Sequence, residues 1–323
     1  VSGGRGNGGT EDRDEPLRPE PSGSDSQIPG LRRLAWFAGL LTLAYAWVLY
    51  SLAIHAADHS LHSHVLLIPF VSAYLIFTDR ARLPGTTSSS PLMAAVLAIL
   101  GAVALVCAVT LGGSGAGHLS QNDFLALSIA SFLCFLTAGG FWFLGNRWMA
   151  EMAFPVAFLV FMIPLPDAVV VGFENFLMAV SADASDLFFS LSGTPYVRDG
   201  QIIELSTITL EVAQECSGIR STYVLFITSL LGAYMILRSP WRRILFVAVV
   251  IPLGILRNGF RVLVIGLLCV NYGPHMIDHF IHKKGGPFFF ALSLIPLFLL
   301  LWWLRATEEE EEGGDGDQGA EVG

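Results

Sequence analysis

Long apolar stretches recur along this chain, and several have the ~20-residue length that a helix rising about 1.5 Å per residue needs to cross the hydrocarbon core of a bilayer. They run from Leu34 to Ile54, Val65 to Thr78, Pro91 to Leu111, Phe124 to Leu144, Met152 to Pro166, Ser217 to Leu237, Ile244 to Val270 and Pro287 to Leu304. The second and fifth are short and are expected to begin in the flanking polar residues. With 53% hydrophobic residues, 14% charged residues and a mean hydropathy of +0.61, an ordinary soluble domain is excluded. The expected fold is an all-α polytopic membrane protein with about eight transmembrane helices.

The net charge of −9 over 323 residues misleads, because much of it sits in the acidic tail that contains Glu308 to Glu312. That tail, residues 306–323, and the Gly/Pro/Ser-rich residues 1–30 lack apolar surface to bury and are expected to be disordered. The membrane domain is read as residues 31–305, and no cleavable signal peptide is expected before Leu34. Arg32, Arg33, Arg80, Arg82, Arg147, Arg238, Arg242, Arg243 and Arg305 fall at one set of loop ends, against Arg198, Lys283 and Lys284 at the other. Positive charge stays inside, so the termini are expected to be cytoplasmic and all eight histidines to face outward.

One region breaks the pattern of spans. Ala168 to Leu191 carries Glu174, Asp183 and Asp186 among apolar residues, as expected of an amphipathic helix on the outer interface. Gly193 to Leu205 reads as two short strands around a turn, and Ile208 to Val212 alternates. A small extracytoplasmic β-hairpin is therefore expected to lead into Glu215-Cys216-Ser217-Gly218-Ile219-Arg220-Ser221. There a polar loop gives way to an apolar helix, and a helix N-terminus favours a thiolate, with Arg220 one turn on. Cys107, Cys134 and Cys269 lie within apolar runs and read as packing residues. No CxxC pair occurs, so a thiol-based metal framework is not expected.

The seventh span holds Arg257, Asn258 and Arg261, and a charge inside a membrane helix needs a cavity or a partner. Asn258 and Arg261 share a face, and from Ile244 the rise puts Arg261 roughly 26 Å along the helix, near the expected depth of Cys216. Arg257 is ambiguous. The loop from His275 to Pro287 offers a proton carrier in His282 or His279, with Asp278 to orient a ring. His55 and His59 have i, i+4 metal-ligand spacing, but no HExxH motif accompanies them, so the cluster reads as a polar loop and neither metal nor cofactor is expected.

Together these residues resemble the exosortase/archaeosortase family of membrane cysteine transpeptidases. Ser63-His64-Val65-Leu66-Leu67-Ile68-Pro69 is similar to the family's SHGxLVP, with Val65 in place of glycine. Phe154-Pro155 to Ile163-Pro164-Leu165-Pro166 resembles the span ending in PLP, and Gly193 to Leu205 the GxPVxRxGxxI hairpin. Leu210 to Ser221 is close to LEVAxxCSGIRS, Asn258-Gly259-Phe260-Arg261 to NxxR, and His282-Lys283-Lys284-Gly285-Gly286 to HxxxG. Pro287 departs from the tryptophan that many members have there.

The resemblance implies a bacterial-type enzyme of the cell (inner or plasma) membrane with its active site outside. Its substrates would be exported proteins ending in a short motif, a transmembrane helix and a basic tail. Cys216 would be the nucleophile, Arg261 the stabiliser of thiolate or oxyanion, and His282 the acid/base, with His279 as the alternative. Arg220, Asn258 and Asp278 would support them. Membrane lipid is the other expected partner, and nucleic acid is not. Three other readings compete: a transporter or polymer-export subunit with Arg257 and Arg261 lining an anion path, a metal-dependent hydrolase using His55 to His64, and a non-catalytic scaffold.

Overall fold

The computed structural model describes residues 29–58, 60–84, 86–113, 119–211, 218–273, 275 and 286–318. Eleven α-helices are described in this set: α1 Pro29–Ala44, α2 Ala46–Asp58, α3 Ile68–Thr78, α4 Pro91–Gly113, α5 Gln121–Phe143, α6 Asn146–Glu151, α7 Ala153–Phe158, α8 Asp167–Ser192, α9 Ile219–Ile236, α10 Pro240–Tyr272 and α11 Gly286–Gln318. By length and composition α4, α5, α8, α9, α10 and α11 can each cross a membrane, and α1 with α2 passes the same test as a pair bent by 68°. This is a multi-pass membrane protein. Six such helices, or seven counting the bent pair, stand where eight spans were expected.

Local chemistry explains each departure. The break between α1 and α2 falls at Tyr45, whose hydroxyl lies 2.8 Å from Ser131 Oγ on α5, itself donating to the Gly101 carbonyl. Pro69 sits in the first turn of α3, where a missing N–H costs nothing, so that helix starts late and has only 11 residues. Met152 to Pro166 is no long helix but α7 and a 3₁₀ turn, Leu159–Met162. The segment expected to lie on the surface is a single 26-residue helix, α8, packed lengthwise on α10.

About half of the apolar windows of α5 and α10 is enclosed (56% and 50%), against 17% for α4 and 22% for α11, so the first two are the centre of the bundle. Around α5, Leu52, Val65, Ile68, Leu125, Ile129 and Phe158 form one core. The arginine-bearing ends gather together. Leu34, Ile76 and Leu83 pack with Leu144, Trp148 and Met149, and the Tyr234 hydroxyl donates to Asp79 Oδ2 at 2.8 Å.

At this arginine-rich end α11 continues into the described part of the acidic segment. Helix α11 runs on to Gln318, and Glu308 accepts the backbone N–H of Arg238 at 3.0 Å and of Ser239 at 2.8 Å, on the turn joining α9 to α10. Buried Arg242 donates to Glu311 at 2.6 Å and to the Leu304 carbonyl at 3.3 Å. Side-chain partners on the α9–α10 turn and on α10 thus meet Glu308 and Glu311.

At the opposite end lies a three-stranded antiparallel meander: β1 Tyr196–Asp199, β2 Ile202–Leu205 and β3 Thr209–Glu211. Ile203, Leu205 and Leu210 pack on Phe189 of α8 and on Val262, Leu263, Ile265 and Cys269 of α10. The sheet is further tied to α8 by Arg198, which donates to Asp183 at 2.6 Å, and by the Tyr196 hydroxyl, which donates to Asp186 at 2.8 Å. Two of the three acids that suggested a surface helix, Asp183 and Asp186, are thus matched by the hairpin.

Candidate active site

The site begins with the contact between α8 and α10, which is as close as backbones allow. A Cβ added at Gly259 would stand 2.7 Å from Ala184 Cβ and 2.9 Å from the Ala184 carbonyl carbon, so only glycine permits this spacing. The approach seats the preceding residues. Asn258, 3% exposed, donates from Nδ2 to Ser181 Oγ at 3.2 Å. Arg257, 9% exposed, reaches the other way and donates from Nη2 to Ser221 Oγ at 2.7 Å and Thr222 Oγ1 at 3.3 Å on α9. Arg261 follows one turn after Arg257, half-buried, with its Nε enclosed.

The arm that carries the sequence-predicted nucleophile is held at both described ends. Strand β3 ends at Glu211, and α9 begins at Ile219, capped by Gly218 with φ +67°. Cys216 itself lies outside the described residues, as do His279, His282 and Asp278. Gly218 rests on the α10 face just described: a Cβ there would meet Asn258 Oδ1 at 2.8 Å, Asn258 Nδ2 at 3.0 Å and Arg257 Nη2 at 3.1 Å. Ser221 Oγ donates to the Gly218 carbonyl at 3.0 Å while accepting from Arg257. The Thr222 N–H donates to the same carbonyl at 2.9 Å. Arg220 is exposed in the first turn of α9.

The family model described as transmembrane exosortase (Exosortase_EpsH) matches residues 55–299, about three quarters of the chain. The chain belongs to the transmembrane exosortase family. No curated protein and no solved structure gives a significant match.

In this exosortase the motifs that lie far apart in sequence meet around α9. His64, from the first motif, is half-buried with its ring edge-on to Tyr223 at 5.0 Å between centroids, and Phe161, from the second, lies 6.3 Å from the same ring. The hairpin motif packs on α10, and Asn258 touches Gly218. His64 titrates below its ordinary value. Burial against these aromatics disfavours the imidazolium, with the backbone at Leu61 and Phe161 acting in the opposite sense.

The other expectations divide. Asn258 lies on α10 beside the start of α9, Arg261 follows it three residues on in the same helix, and Arg220 is exposed. The His55 and His62 rings lie 5.3 Å apart, His59 is outside the described residues, and no group of three or more metal-binding side chains is found among the described residues. Cys107, Cys134 and Cys269 are free thiols. Sequence reasoning missed Ser181 and Thr222, the partners of Asn258 and Arg257. A lone serine in an apolar helix carries no signal of its own. Only the expense of Asn258 and Arg257 at this depth says that hydroxyls must meet them.

Proposed function

We propose that this exosortase is a membrane cysteine transpeptidase. It cleaves the C-terminal sorting signals of exported proteins at the outer face of the membrane, through a thioester on Cys216, and transfers them to a surface acceptor. The observation that carries this reading is the seat of Gly218 on Asn258 and Arg257. Only Ser217 separates Cys216 from Gly218, and two peptide links reach at most about 7 Å. The NxxR face and the nucleophile's anchor are therefore neighbours at the end of the bundle away from the arginine-rich loops, the outer end by charge bias.

In the reaction, the Cys216 thiolate adds to the scissile carbonyl and generates an oxyanion, which Arg261 stabilises. Collapse expels the amine of the C-terminal fragment, which takes a proton from the imidazolium of His282, with His279 the alternative donor and Asp278 orienting the ring. The neutral imidazole then removes a proton from the acceptor as it attacks the thioester, and Cys216 leaves as thiolate.

The test is a reporter protein ending in a short motif, an apolar helix and a basic tail, co-expressed with the enzyme. Wild type shortens the reporter, Cys216→Ala leaves it full-length, and hydroxylamine releases reporter hydroxamate from the wild-type adduct. Unimpaired shortening by Cys216→Ala refutes the thioester. A transport or export phenotype that survives the same substitution would instead support the anion-path reading.

A further inference from the structure

A polar cavity of about 480 Å³ opens at the arginine-rich end of the bundle, the end away from Gly218. Three elements enclose it: the 3₁₀ turn Asp79–Arg82 that follows α3, the turn from α9 into α10, and the part of α11 around Arg305. Four arginines line it, Arg82, Arg238, Arg243 and Arg305, together with the acids Asp79, Glu308 and Glu309. The proposed reaction uses none of them.

The acids are committed. Asp79 accepts from the Tyr234 hydroxyl, Glu308 from two backbone N–H groups, and Glu309 from Arg305 Nε at 3.0 Å. Two of the guanidiniums are met differently. Arg243 donates to the carbonyls of Leu237 at 2.8 Å and Tyr234 at 3.4 Å and lies over the Tyr234 ring, partners that orient it and carry no negative charge. Arg82 has its side chain 74% exposed and reaches Asp79 only at 3.8 Å, beyond hydrogen-bond range. The charge left over in the cavity is therefore positive, and a phosphate, with several anionic acceptor oxygens, suits converging guanidiniums.

The walls of the cavity identify what carries the phosphate. Met235 and Ile236, exposed at the end of the membrane-spanning α9, form part of them, and the exposed Trp302 and Trp303 stand just before Arg305 on α11. Tryptophan next to arginine at a helix end marks the level of the lipid headgroups, and basic pockets between membrane helices on the cytoplasmic side take anionic headgroups. By charge bias this is the cytoplasmic end. A soluble phosphate would have no use for the apolar flank.

We propose that this cavity binds the phosphate of an anionic phospholipid of the inner leaflet, held chiefly by Arg82 and Arg243, with the acyl chains lying along Met235 and Ile236. The bound headgroup joins the end of α3 to the α9–α10 turn and to α11. The site is independent of the chemistry at Cys216.

The test uses the purified full-length protein in dodecyl maltoside micelles. Phosphatidylglycerol or phosphatidylcholine with the same acyl chains is added, and retained lipid is read by native mass spectrometry. Wild type is expected to hold one phosphatidylglycerol more tightly than phosphatidylcholine. Arg82→Gln weakens that binding roughly fivefold, the worth of one cation beside an anionic lipid surface, and Arg82→Lys retains it. Arg305→Gln, which also leaves Glu309 unopposed, gives a loss at least as large. Arg147→Gln removes an exposed arginine that does not line the cavity and binds as wild type does. Unfolding temperatures in lipid-free micelles establish that each variant is folded.

Equal retention of the two lipids by wild type overturns the proposal without any variant. So does a loss in Arg147→Gln as large as in Arg82→Gln, which marks diffuse surface charge. Displacement of the lipid by glycerol phosphate at matched concentration assigns the cavity to a soluble phosphate instead. Capture of an arginine-rich peptide, strengthened by Arg82→Gln, assigns it to a cation.

Discussion

Gly218→Ala places one methyl group where the start of α9 rests on α10. Two costs add. At φ +67° an L side chain pays roughly 1–2 kcal/mol for the left-handed conformation. The new Cβ would also lie 2.8 Å from Asn258 Oδ1 and 3.0 Å from its Nδ2, closer than carbon approaches either atom. Asn258 cannot simply swing aside, because its Nδ2 donates to Ser181 Oγ at 3.2 Å, and losing that buried bond costs about 1 kcal/mol more. The sum, about 2–3 kcal/mol, is relieved by lifting the first turn of α9 off α10.

A displacement near 1 Å at a reacting group is worth on the order of 100-fold in rate. Reporter cleavage is therefore expected to fall about that much, with a lower unfolding temperature. The matched control is Gly232→Ala on the same helix, where an added Cβ meets nothing within 4 Å and φ is ordinary. It is expected to cleave normally and to gain up to about 1 kcal/mol of stability from helix propensity. Normal cleavage and stability in Gly218→Ala would refute the argument, because the Asn258 face would then not be what holds the arm.

Truncation after Arg305 removes Glu308 and Glu311 and leaves Arg242, 2% exposed, without its acids. The loss is expected to be roughly 3 kcal/mol, the low end for breaking a buried pair because Glu311 is largely exposed, and unchanged thermal stability would show that the tail is not docked. For His64, a folded pKa held below its ordinary 6.5 means that the unfolded chain binds the proton more readily. Its contribution is present in full above pH 6.5 and is lost as pH falls below that value toward the folded pKa. His64→Asn should therefore show a smaller drop in unfolding temperature between neutral and mildly acidic pH than wild type.

Five of the six helices long enough to cross in one piece were legible because apolarity alone defines them: the runs at 91–111, 124–144, 217–237, 244–270 and 287–304 became α4, α5, α9, α10 and α11. What apolarity does not encode is direction and partnership. Leu34 to Ile54 is apolar throughout, yet the chain bends by 68° around Tyr45, whose hydroxyl meets a serine 86 positions away. Glu174, Asp183 and Asp186 looked like a wet face, and two of them are instead satisfied by Arg198 and Tyr196 from the hairpin. The acidic tail looked solvated for the same reason. In each case the sequence shows the charge and hides the group that answers it.

The site follows the same logic from the opposite side. Arg257, Asn258 and Arg261 were legible as expensive residues, and among the described residues hydroxyls of α9 and α8 meet the first two. The hydroxyls of Ser221 and Thr222 fix the orientation of the Arg257 guanidinium against α9. An anion path would need such charges repeated along the helix. Here they stand about one turn apart, roughly 26 to 32 Å from the start of α10 at Pro240, where α8, α10 and the capped start of α9 converge. A cluster confined to a single depth, beside the start of α9, fits the proposed reaction at one bond better than a path along the helix.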